Sequence, residues 1–181
     1  MAWVLKKTIV MVGMMGAGKT AVGRALAAEL GVPFLDSDHE IEAAANMTIA
    51  EIFERDGEPF FRARETEVIQ RLLEGDPCVL STGGGAYLAD RNRSLISEKG
   101  LAVWLNADLE LLWNRVKHRD SRPLLKTPDP KGTLTALYDA RVPTYAKADL
   151  SVPAEQDLSI QDMALRVIEA VATRSDVLEA V

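Results

Sequence analysis

The sequence predicts an α/β fold in which a parallel sheet is flanked by helices. Short runs rich in apolar and β-branched residues alternate along the chain with longer segments of helical periodicity. The first run, Thr8–Val12, lacks the polar alternation of a half-exposed strand, as expected for a strand buried on both faces. Neither an internal repeat nor a linker divides the 181 residues, so we expect one domain over residues 1–181.

Four further runs along the chain are predicted strands. They cover residues 32–35, 78–81, 101–105 and, as a short final strand, 149–152. Cys78 opens the third of the five runs and is expected to pack in the core, since free cysteine behaves as a small hydrophobe. As the sole cysteine, it also excludes an internal disulfide framework and a multi-cysteine zinc site.

Helical segments separate these strands. The first covers residues 19–30 and is followed by Gly31, a residue suited to the left-handed C-cap. Thr48 and Glu51 have the spacing of a capping box, which predicts that a helix starts at Thr48. Further helices are predicted over residues 58–73, 108–117, 134–141 and 158–171.

Residues 118–132 interrupt the helical periodicity. They contain three prolines and many charges, with few apolar side chains. Irregular segments of this length inside a compact domain are usually functional or disordered, and we expect a mobile loop here. The last residues, 172–181, are expected to fray, as chain ends commonly do.

The bulk composition limits the expected partners of the protein. A net charge of −6 argues against a nucleic-acid binder, which usually needs a basic face. No run reaches the roughly 18 apolar residues that a membrane span requires. The first residues lack the long apolar region of a secretory signal. We therefore expect a cytoplasmic protein that binds neither nucleic acid nor membranes, and since nothing indicates an obligate interface, we expect a monomer.

The strongest functional signal is the motif G-x-x-x-x-G-K-T at residues 13–20. It follows a predicted strand and opens a predicted helix, which is the context required of a phosphate-binding loop. The backbone N–H groups and helix N-terminus of such a loop cradle phosphates. Lys19 would reach the β- and γ-phosphates of ATP, and Thr20 would bind Mg²⁺. A chance glycine-rich turn is the alternative, and the order of strand, loop and helix argues against it.

Asp36 and Asp38 come directly after the second predicted strand. Ligands of open α/β sheets bind at the carboxyl ends of the strands, so these carboxylates are expected to face the phosphates. One could face a metal ion and the other a substrate hydroxyl. The spacing equally supports the alternative that they cap the following helix.

Two further groups of residues are candidates for binding a second substrate. Arg62 and Arg64 open a predicted helix, and an arginine fork can bind a carboxylate through two parallel hydrogen bonds. The alternative is a solvated helix face with an ion pair to Glu65. Glycines at residues 83–85 follow the third predicted strand, and three in a row cost backbone entropy. They suggest close approach of the backbone to a ligand, with a plain tight turn as the alternative.

Two isolated arginines complete the candidate residues. Arg122 lies in the irregular segment, where it could stabilise charge during phosphoryl transfer. Arg141 is a second candidate for binding an anion, and the alternative for both is a surface charge. His39 and His118 have no metal-binding or catalytic spacing, so neither is assigned a role.

Taken together, these motifs resemble the shikimate kinase family from about residue 8 to about residue 168. The resemblance rests on six ordered segments: G-M-M-G-A-G-K-T at 13–20, D-S-D at 36–38, F-R-A-R-E at 61–65, G-G-G at 83–85, R-P-L-L at 122–125 and R-V-P-T-Y at 141–145. Many nucleotide enzymes share the phosphate loop alone, whereas the ordered set is far more specific.

The resemblance implies phosphoryl transfer from ATP to shikimate, giving shikimate 3-phosphate and ADP in aromatic amino-acid biosynthesis, with Mg²⁺ as the cofactor. It implies catalytic roles for Lys19, for Asp38 as the candidate base, and for Arg122. The implied ATP-binding residues are Gly16, Ala17, Gly18, Lys19, Thr20, Ala21, Arg115 and Arg122. The implied shikimate-binding residues are Asp38, Arg62, Gly83, Gly84, Gly85 and Arg141. Thr20 and, through water, Asp36 would hold the metal.

The resemblance further implies a three-layer P-loop kinase fold of the nucleoside-monophosphate-kinase type. Its parts would be five parallel strands, a substrate-binding helical segment at about 37–65 and a lid at about 118–131. One segment departs from the family pattern, because Pro153 follows Val152 where the family usually has an acidic residue. The family's adenine contacts are therefore not carried over to this segment. The rival interpretations are another kinase of this fold, such as a gluconate kinase, and a nucleotide-binding regulatory protein without turnover.

Overall fold

The structure is a computed structural model of the chain and describes residues 2–117 and 126–181. The five strands predicted from the sequence form one parallel sheet in it. Within these residues the strands are β1 (Trp3–Leu5), β2 (Thr8–Val12), β3 (Phe34–Asp36), β4 (Val79–Ser81), β5 (Gly100–Asn106), β6 (Leu150–Pro153) and β7 (Leu178–Ala180). The helices are α1 (Lys19–Leu30), α2 (Ser37–Ala45), α3 (Ile49–Asp56), α4 (Glu58–Glu74), α5 (Asp90–Lys99), α6 (Leu109–Val116), α7 (Pro130–Tyr145) and α8 (Ile160–Val171), and a 3₁₀ turn spans Ala86–Leu88.

The main sheet has the strand order β3-β4-β2-β5-β6, and every neighbouring pair in it is parallel. Strand β2 lies at its centre, so the loop that follows β2 is flanked by the carboxyl ends of β4 and β5. Ligands of open parallel sheets bind at this edge. The arrangement confirms the predicted α/β fold with five parallel strands flanked by helices.

Helices enclose the centre of the sheet. All five residues of β2 are buried, as expected for a strand covered on both faces. Helix α1 packs against α8, and α5 packs against β5 and α4. Cys78 is buried in this core, as predicted, and burial raises the pKa of its thiol.

Local sequence signals start and end the helices as expected. Helix α1 ends at Gly31, whose φ of 66° lies in the left-handed region. The predicted capping box is present at the start of α3: Thr48 Oγ1 accepts from the Glu51 N–H at 3.1 Å, and Glu51 Oε1 accepts from the Thr48 N–H at 3.4 Å. These contacts satisfy two backbone donors that the helix itself cannot.

Helices α2 and α5 are not predicted by the sequence periodicity. In α2 only Ser37 and Ile41 are buried, and in α5 only Asn92 and Ile96. One of the two buried residues in each helix is polar, so neither helix has the apolar stripe that reveals an amphipathic helix.

Several predicted boundaries shift, and two of the shifts have a clear local cause. The strand predicted at 32–35 is displaced to β3, since Pro33 has no N–H to donate to the ladder. Helix α7 begins at Pro130, inside the segment 118–132 that was predicted to be irregular. Proline suits the first helical turn, and the side chain of Asp129 caps the helix by accepting from the Gly132 N–H.

The prediction that residues 172–181 fray is wrong. Strand β7 pairs antiparallel with β1, with Trp3 opposite Ala180 and Leu5 opposite Leu178. Val177 and Leu178 are 0% and 1% exposed. Pairing between the two ends of the chain leaves no local periodicity in the sequence, so pattern analysis does not detect it.

We expect Leu178→Ala to lower the free energy of unfolding by about 2–4 kcal/mol, because it empties a buried site at the junction of this small sheet and the core. Leu165→Ala is the matched control: this leucine is 48% exposed on α8, and its loss is expected to change stability by less than about 0.5 kcal/mol. Urea denaturation measures both. Equal stability of Leu178→Ala and the parent chain would show that β7 does not stabilise the fold.

Residues 118–125 lie outside the described residues, and with them His118, Arg122 and most of the predicted lid. In the part of the chain that the structure describes, no helix has the length and apolar character needed to cross a membrane.

Candidate active site

A cleft of about 1320 Å³ opens at the carboxyl edge of the main sheet. Of the predicted site residues, Arg122 lies outside the described residues, and all the others line the cleft. They are Gly16, Ala17, Gly18, Lys19, Thr20, Ala21, Asp36, Asp38, Arg62, Gly83, Gly84, Gly85, Arg115 and Arg141. Single small-molecule pockets usually measure about 300–1,000 Å³, so this cleft has room for two substrates side by side.

The phosphate-binding loop connects β2 to α1. Gly16 and Gly18 have φ values of +83° and +99°, in the region that favours glycine. A Cβ on Gly16 would lie 2.7 Å from Val116 Cγ1, so side-chain packing of α6 also requires glycine there. Lys19 follows at the start of α1 and donates from Nζ to the carbonyl oxygen of Gly13 at 2.5 Å. The lysine therefore spans the loop from its end to its beginning.

Arg115, near the end of α6, holds the outer part of this loop. Its Nη1 donates to the carbonyl oxygens of Gly16 at 3.0 Å and Ala17 at 3.1 Å. Because these carbonyls are tied back to Arg115, the loop presents its N–H groups rather than its carbonyls to the cleft. The Arg115 side chain thus both borders the cleft and holds the phosphate-binding loop in place.

Asp36 and Asp38 take different roles at the end of β3. Asp36 caps α2, its Oδ1 accepting from the N–H groups of Asp38 at 2.9 Å and His39 at 3.1 Å. The capping alternative therefore holds for Asp36, which also borders the cleft with Thr20. Asp38 lies in the first turn of α2 and directs its carboxylate towards the glycines after β4.

The three glycines after β4 each lie against one charged side chain from a different helix. A Cβ on Gly83 would lie 2.8 Å from Asp38 Oδ1, and one on Gly84 would lie 2.9 Å from Arg141 Nη1. A Cβ on Gly85 would lie 2.6 Å from Arg62 Nη2. Side chains at residues 83–85 would therefore displace all three charged groups. We refer to residues 83–85 as the glycine turn.

Burial, together with the nearby carboxylates of Asp36 and Glu65, raises the pKa of Asp38 to about 6, against a smaller lowering effect of Lys19. A carboxyl group with such a pKa is mostly ionised at neutral pH yet more basic than an ordinary aspartate. Both properties suit a general base, whose ideal pKa lies near the working pH. The perturbation also makes Asp38 a functional-site candidate on electrostatic grounds.

Glu65 is a residue of the site whose burial the sequence does not predict. Its side chain is 1% exposed, and its Oε1 accepts from Arg62 Nη1 at 2.9 Å. Burial raises the pKa of Glu65, against the lowering effect of Arg62. The pair has the i, i+3 spacing considered above, but it lies at the base of the cleft and not on a solvated helix face. It holds the Arg62 guanidinium against the glycine turn.

Three apolar side chains also line the cleft: Leu158, just before α8, and Ile160 and Met163 in its first turn. Ala21 and Arg24 of α1 line it as well. The sequence predicts the helix but not that its first turn reaches the cleft, since this depends on where β6 ends.

A second, smaller cavity of about 470 Å³ lies among α2, α3 and α4. Its arginines are already paired: Arg55 with Asp56 at 2.7 Å, Arg64 with Glu67 at 2.7 Å and Arg71 with Glu40 at 3.7 Å. Arg64 thus turns away from the main cleft, and of the two arginines considered on α4 only Arg62 enters it.

A phosphate-binding loop follows the central strand of the parallel sheet, and it faces a second set of polar side chains across the cleft. This arrangement defines a P-loop phosphotransferase that acts on a small molecule. A family model described as shikimate kinase matches residues 15–172. The chain belongs to the shikimate kinase family and is an ATP-dependent kinase.

Individual relatives agree with this assignment. The chain is 71% identical over 175 residues to a shikimate kinase of Ruegeria pomeroyi, covering 97% of this chain and 90% of the relative. It is similar to the structure of shikimate kinase from Acinetobacter baumannii in complex with shikimate, with a TM-score of 0.85, 40% identity and coverage of 93% and 94%. A gluconokinase from Sinorhizobium meliloti gives a TM-score of 0.62 at 18% identity, over 93% of both chains, and shares the fold alone.

Proposed function

We propose that this chain transfers the γ-phosphate of ATP to the 3-hydroxyl of shikimate, giving shikimate 3-phosphate and ADP in chorismate and aromatic amino-acid biosynthesis. The observation that carries the proposal is the meeting of Asp38, Arg62 and Arg141 at the glycine turn, beside the phosphate-binding loop. Shikimate offers one carboxylate and several hydroxyls, and this half of the cleft offers two guanidinium groups and one basic carboxylate.

The acceptor is bound by charge at one end and hydrogen bonds at the other. Arg62 and Arg141 hold its carboxylate, and charge-assisted bonds of this kind are the strong ones. Asp38 accepts hydrogen bonds from its hydroxyls and takes the proton of the attacking one. The glycine turn lies along the ring, because no side chain there intervenes. This orientation converts the transfer into a positioned, effectively unimolecular step.

The donor is bound by the phosphate-binding loop. N–H groups of residues 16–21 surround the phosphates, and Lys19 leaves Gly13 to contact the β- and γ-phosphates. Arg115 and the apolar side chains of Leu158 and Ile160 bound the space for the adenine. Arg122, predicted from the sequence as a lid residue, would add positive charge at the transferred phosphate.

Mg²⁺ is the cofactor that the donor set fits. The Thr20 hydroxyl and Asp36 carboxylate border the phosphate side of the cleft, and Mg²⁺ usually takes one or two protein oxygens together with water and substrate phosphates. Within residues 2–117 and 126–181 no cluster of three acidic, histidine or cysteine residues forms a dedicated metal cage. When bound, the ion would neutralise phosphate charge; Thr20 would ligate it directly and Asp36 through water.

We further propose a cytoplasmic monomer that acts on small molecules and not on nucleic acids or membranes. The support for a monomer is that one chain supplies every proposed site residue. We propose that residues 1–181 form one domain with its core at about 8–168, its substrate-binding segment at about 37–65 and its lid at about 118–131.

Product identification tests the reaction. The chain is incubated with Mg·ATP and shikimate, and the product is analysed by phosphorus–proton correlation NMR. We expect a phosphate coupled to the proton at C3 and an equal amount of ADP. A phosphate on another hydroxyl, or none on shikimate, would contradict the proposed function.

Arg62→Ala is expected to raise the KM for shikimate about 10- to 100-fold, since hydrogen bonds to charged groups contribute about 1.5–3 kcal/mol. The KM for ATP should stay near its original value. Steady-state kinetics with each substrate varied in turn measures both.

Two variants serve as controls for this prediction. Arg62→Lys keeps a cation beside the buried Glu65 but loses the planar fork, so a raised KM in this variant separates binding from misfolding. Arg64→Ala, two positions along the same helix and outside the cleft, should leave the kinetics unchanged. An unaltered shikimate KM in both Arg62 variants would remove Arg62 from the site.

A further inference from the structure

Tyr145 is a buried polar residue at the end of α7 to which the proposed mechanism gives no role. It is 0% exposed, and its ring packs on Trp104 of β5 with 6.4 Å between the centroids. Its hydroxyl donates to the carbonyl oxygen of Gly84 at 2.7 Å, across 61 residues of sequence. Trp104 in turn approaches Gly13, the first residue of the phosphate-binding loop. The ring of Tyr145 therefore packs on the sheet, while its hydroxyl bonds to the middle residue of the glycine turn.

The Arg141 guanidinium, one helical turn earlier on α7, lies beside this hydroxyl. A Cβ on Gly84 would lie 2.9 Å from Arg141 Nη1 and 3.9 Å from the Tyr145 oxygen, and the positive charge of Arg141 lowers the pKa of Tyr145 against the raising effect of burial. The tyrosine proton goes to the Gly84 carbonyl, so the lone pairs of the oxygen are left for the guanidinium, a group that only donates. The hydroxyl and the arginine therefore meet at the same residue of the turn.

We propose that Tyr145 is a positioning residue that holds the Arg141 guanidinium and the Gly84 peptide in the arrangement that binds the acceptor carboxylate. The proposal rests on the proposed function and adds to it a residue that does not contact the reacting atoms. Its effect is on the free protein: Arg141 enters the binding step already ordered.

The physical gain is entropic. A free arginine side chain loses rotamer freedom when it is immobilised, and this loss of entropy opposes binding. Where the fold has already ordered the side chain, substrate binding does not bear this cost, which is the general benefit of preorganisation. Burial raises the pKa of Tyr145, so the hydroxyl keeps its proton and its donor role throughout the neutral range. Phenylalanine would preserve the ring and its packing but not the hydroxyl that bonds to Gly84 and faces Arg141.

A double-mutant cycle with Arg141 tests this role. Tyr145→Phe, Arg141→Ala and the double variant are compared with the parent chain for the KM of shikimate, the KM of ATP and kcat. Tyr138→Phe is the matched control, because it removes a tyrosine hydroxyl from the same helix outside the cleft. Thermal unfolding of each variant monitors the fold.

We expect Tyr145→Phe to raise the shikimate KM about tenfold, the loss of roughly one hydrogen bond, with kcat and the ATP KM nearly unchanged. In the Arg141→Ala background the same substitution should have a much smaller effect, because only the Gly84 peptide is then left for the hydroxyl to position. Tyr138→Phe should match the parent chain.

Two results would overturn the role of Tyr145. One is an unchanged shikimate KM in Tyr145→Phe. The other is an effect of equal size with and without Arg141, which would mean that the hydroxyl does not act through Arg141. Failure of the proposed function is distinct from both, since the parent chain would then show no shikimate-dependent ADP release at all.

Discussion

Replacing Asp38 by asparagine is expected to lower kcat by about 10²–10⁴-fold, the usual contribution of a positioned general base. The amide keeps the size of the side chain and its place against Gly83, but it cannot take a proton from the acceptor hydroxyl. Steady-state rates of ADP formation at saturating shikimate and Mg·ATP measure the change. The KM for shikimate should change less than kcat, because the amide still forms hydrogen bonds.

Glu40→Gln is the matched control for this variant. It makes the same carboxylate-to-amide change on α2, at a residue that pairs with Arg71 and lies outside the cleft. Its kcat should equal that of the parent chain. A kcat of Asp38→Asn close to the parent value would show that another group, or the phosphate itself, accepts the proton.

The raised pKa of Asp38 predicts that the same substitution stabilises the fold. The pKa is about 6 in the folded protein against 3.8 for an ordinary aspartate carboxyl. Between these two pH values the unfolded chain ionises first, so folding stability falls as pH rises. Above pH 6 the penalty is fully present. Asp38→Asn removes it, and the variant should be more stable than the parent by about 1–3 kcal/mol at pH 8. The difference should vanish below pH 4; an equal difference at both pH values would contradict the assigned pKa.

Replacing Lys19 by alanine is expected to lower kcat by about 10²–10³-fold, since it removes a preorganised charge from the transferred phosphate. The KM for ATP should rise by less, because the backbone N–H groups of the phosphate-binding loop still bind the nucleotide. Single-turnover measurements with enzyme in excess separate the transfer step from product release.

Lys99→Ala provides the comparison, because Lys99 pairs with Glu74 away from the cleft. It should leave both kinetic constants unchanged. If Lys19→Ala retained a near-normal kcat, the lysine would bind the ground state and the transition state equally, and its proposed catalytic role would be wrong.

The phosphate-binding loop could be predicted in full because its determinants are local. The glycines at 16 and 18 are needed for backbone angles that other residues rarely adopt, and Lys19 and Thr20 follow at fixed offsets. The strand before it and the helix after it have clear periodicities. Nothing distant in the chain is required to recognise this half of the site.

The acceptor half could be predicted as a set of residues but not as a geometry. The glycine turn was expected to let the backbone approach a ligand. The structure adds a second reason for glycine: each missing side chain leaves room for Asp38, Arg141 or Arg62. Three helices contribute these groups, so their meeting follows from the strand order and not from any local pattern.

Features that depend on distant contacts could not be predicted. Glu65 has the spacing of an ordinary surface ion pair, and only the packing of α4 shows that it is buried. The hydroxyl of Tyr145 reaches Gly84 from another element, and β7 requires a partner at the opposite end of the chain. In each case the feature depends on contacts with a part of the chain that is distant in sequence.

The most direct test of the central claim is a coupled assay of ADP release with Mg·ATP and either shikimate or gluconate as the acceptor. We predict rapid ADP release that depends on shikimate, with a far lower kcat/KM for gluconate. Gluconate also carries a carboxylate for the arginine pair, but it is a flexible open chain and not a ring that can lie along the glycine turn. A preference for gluconate would contradict the acceptor assignment. ADP release no faster with shikimate than without an acceptor would contradict the proposed phosphotransferase reaction.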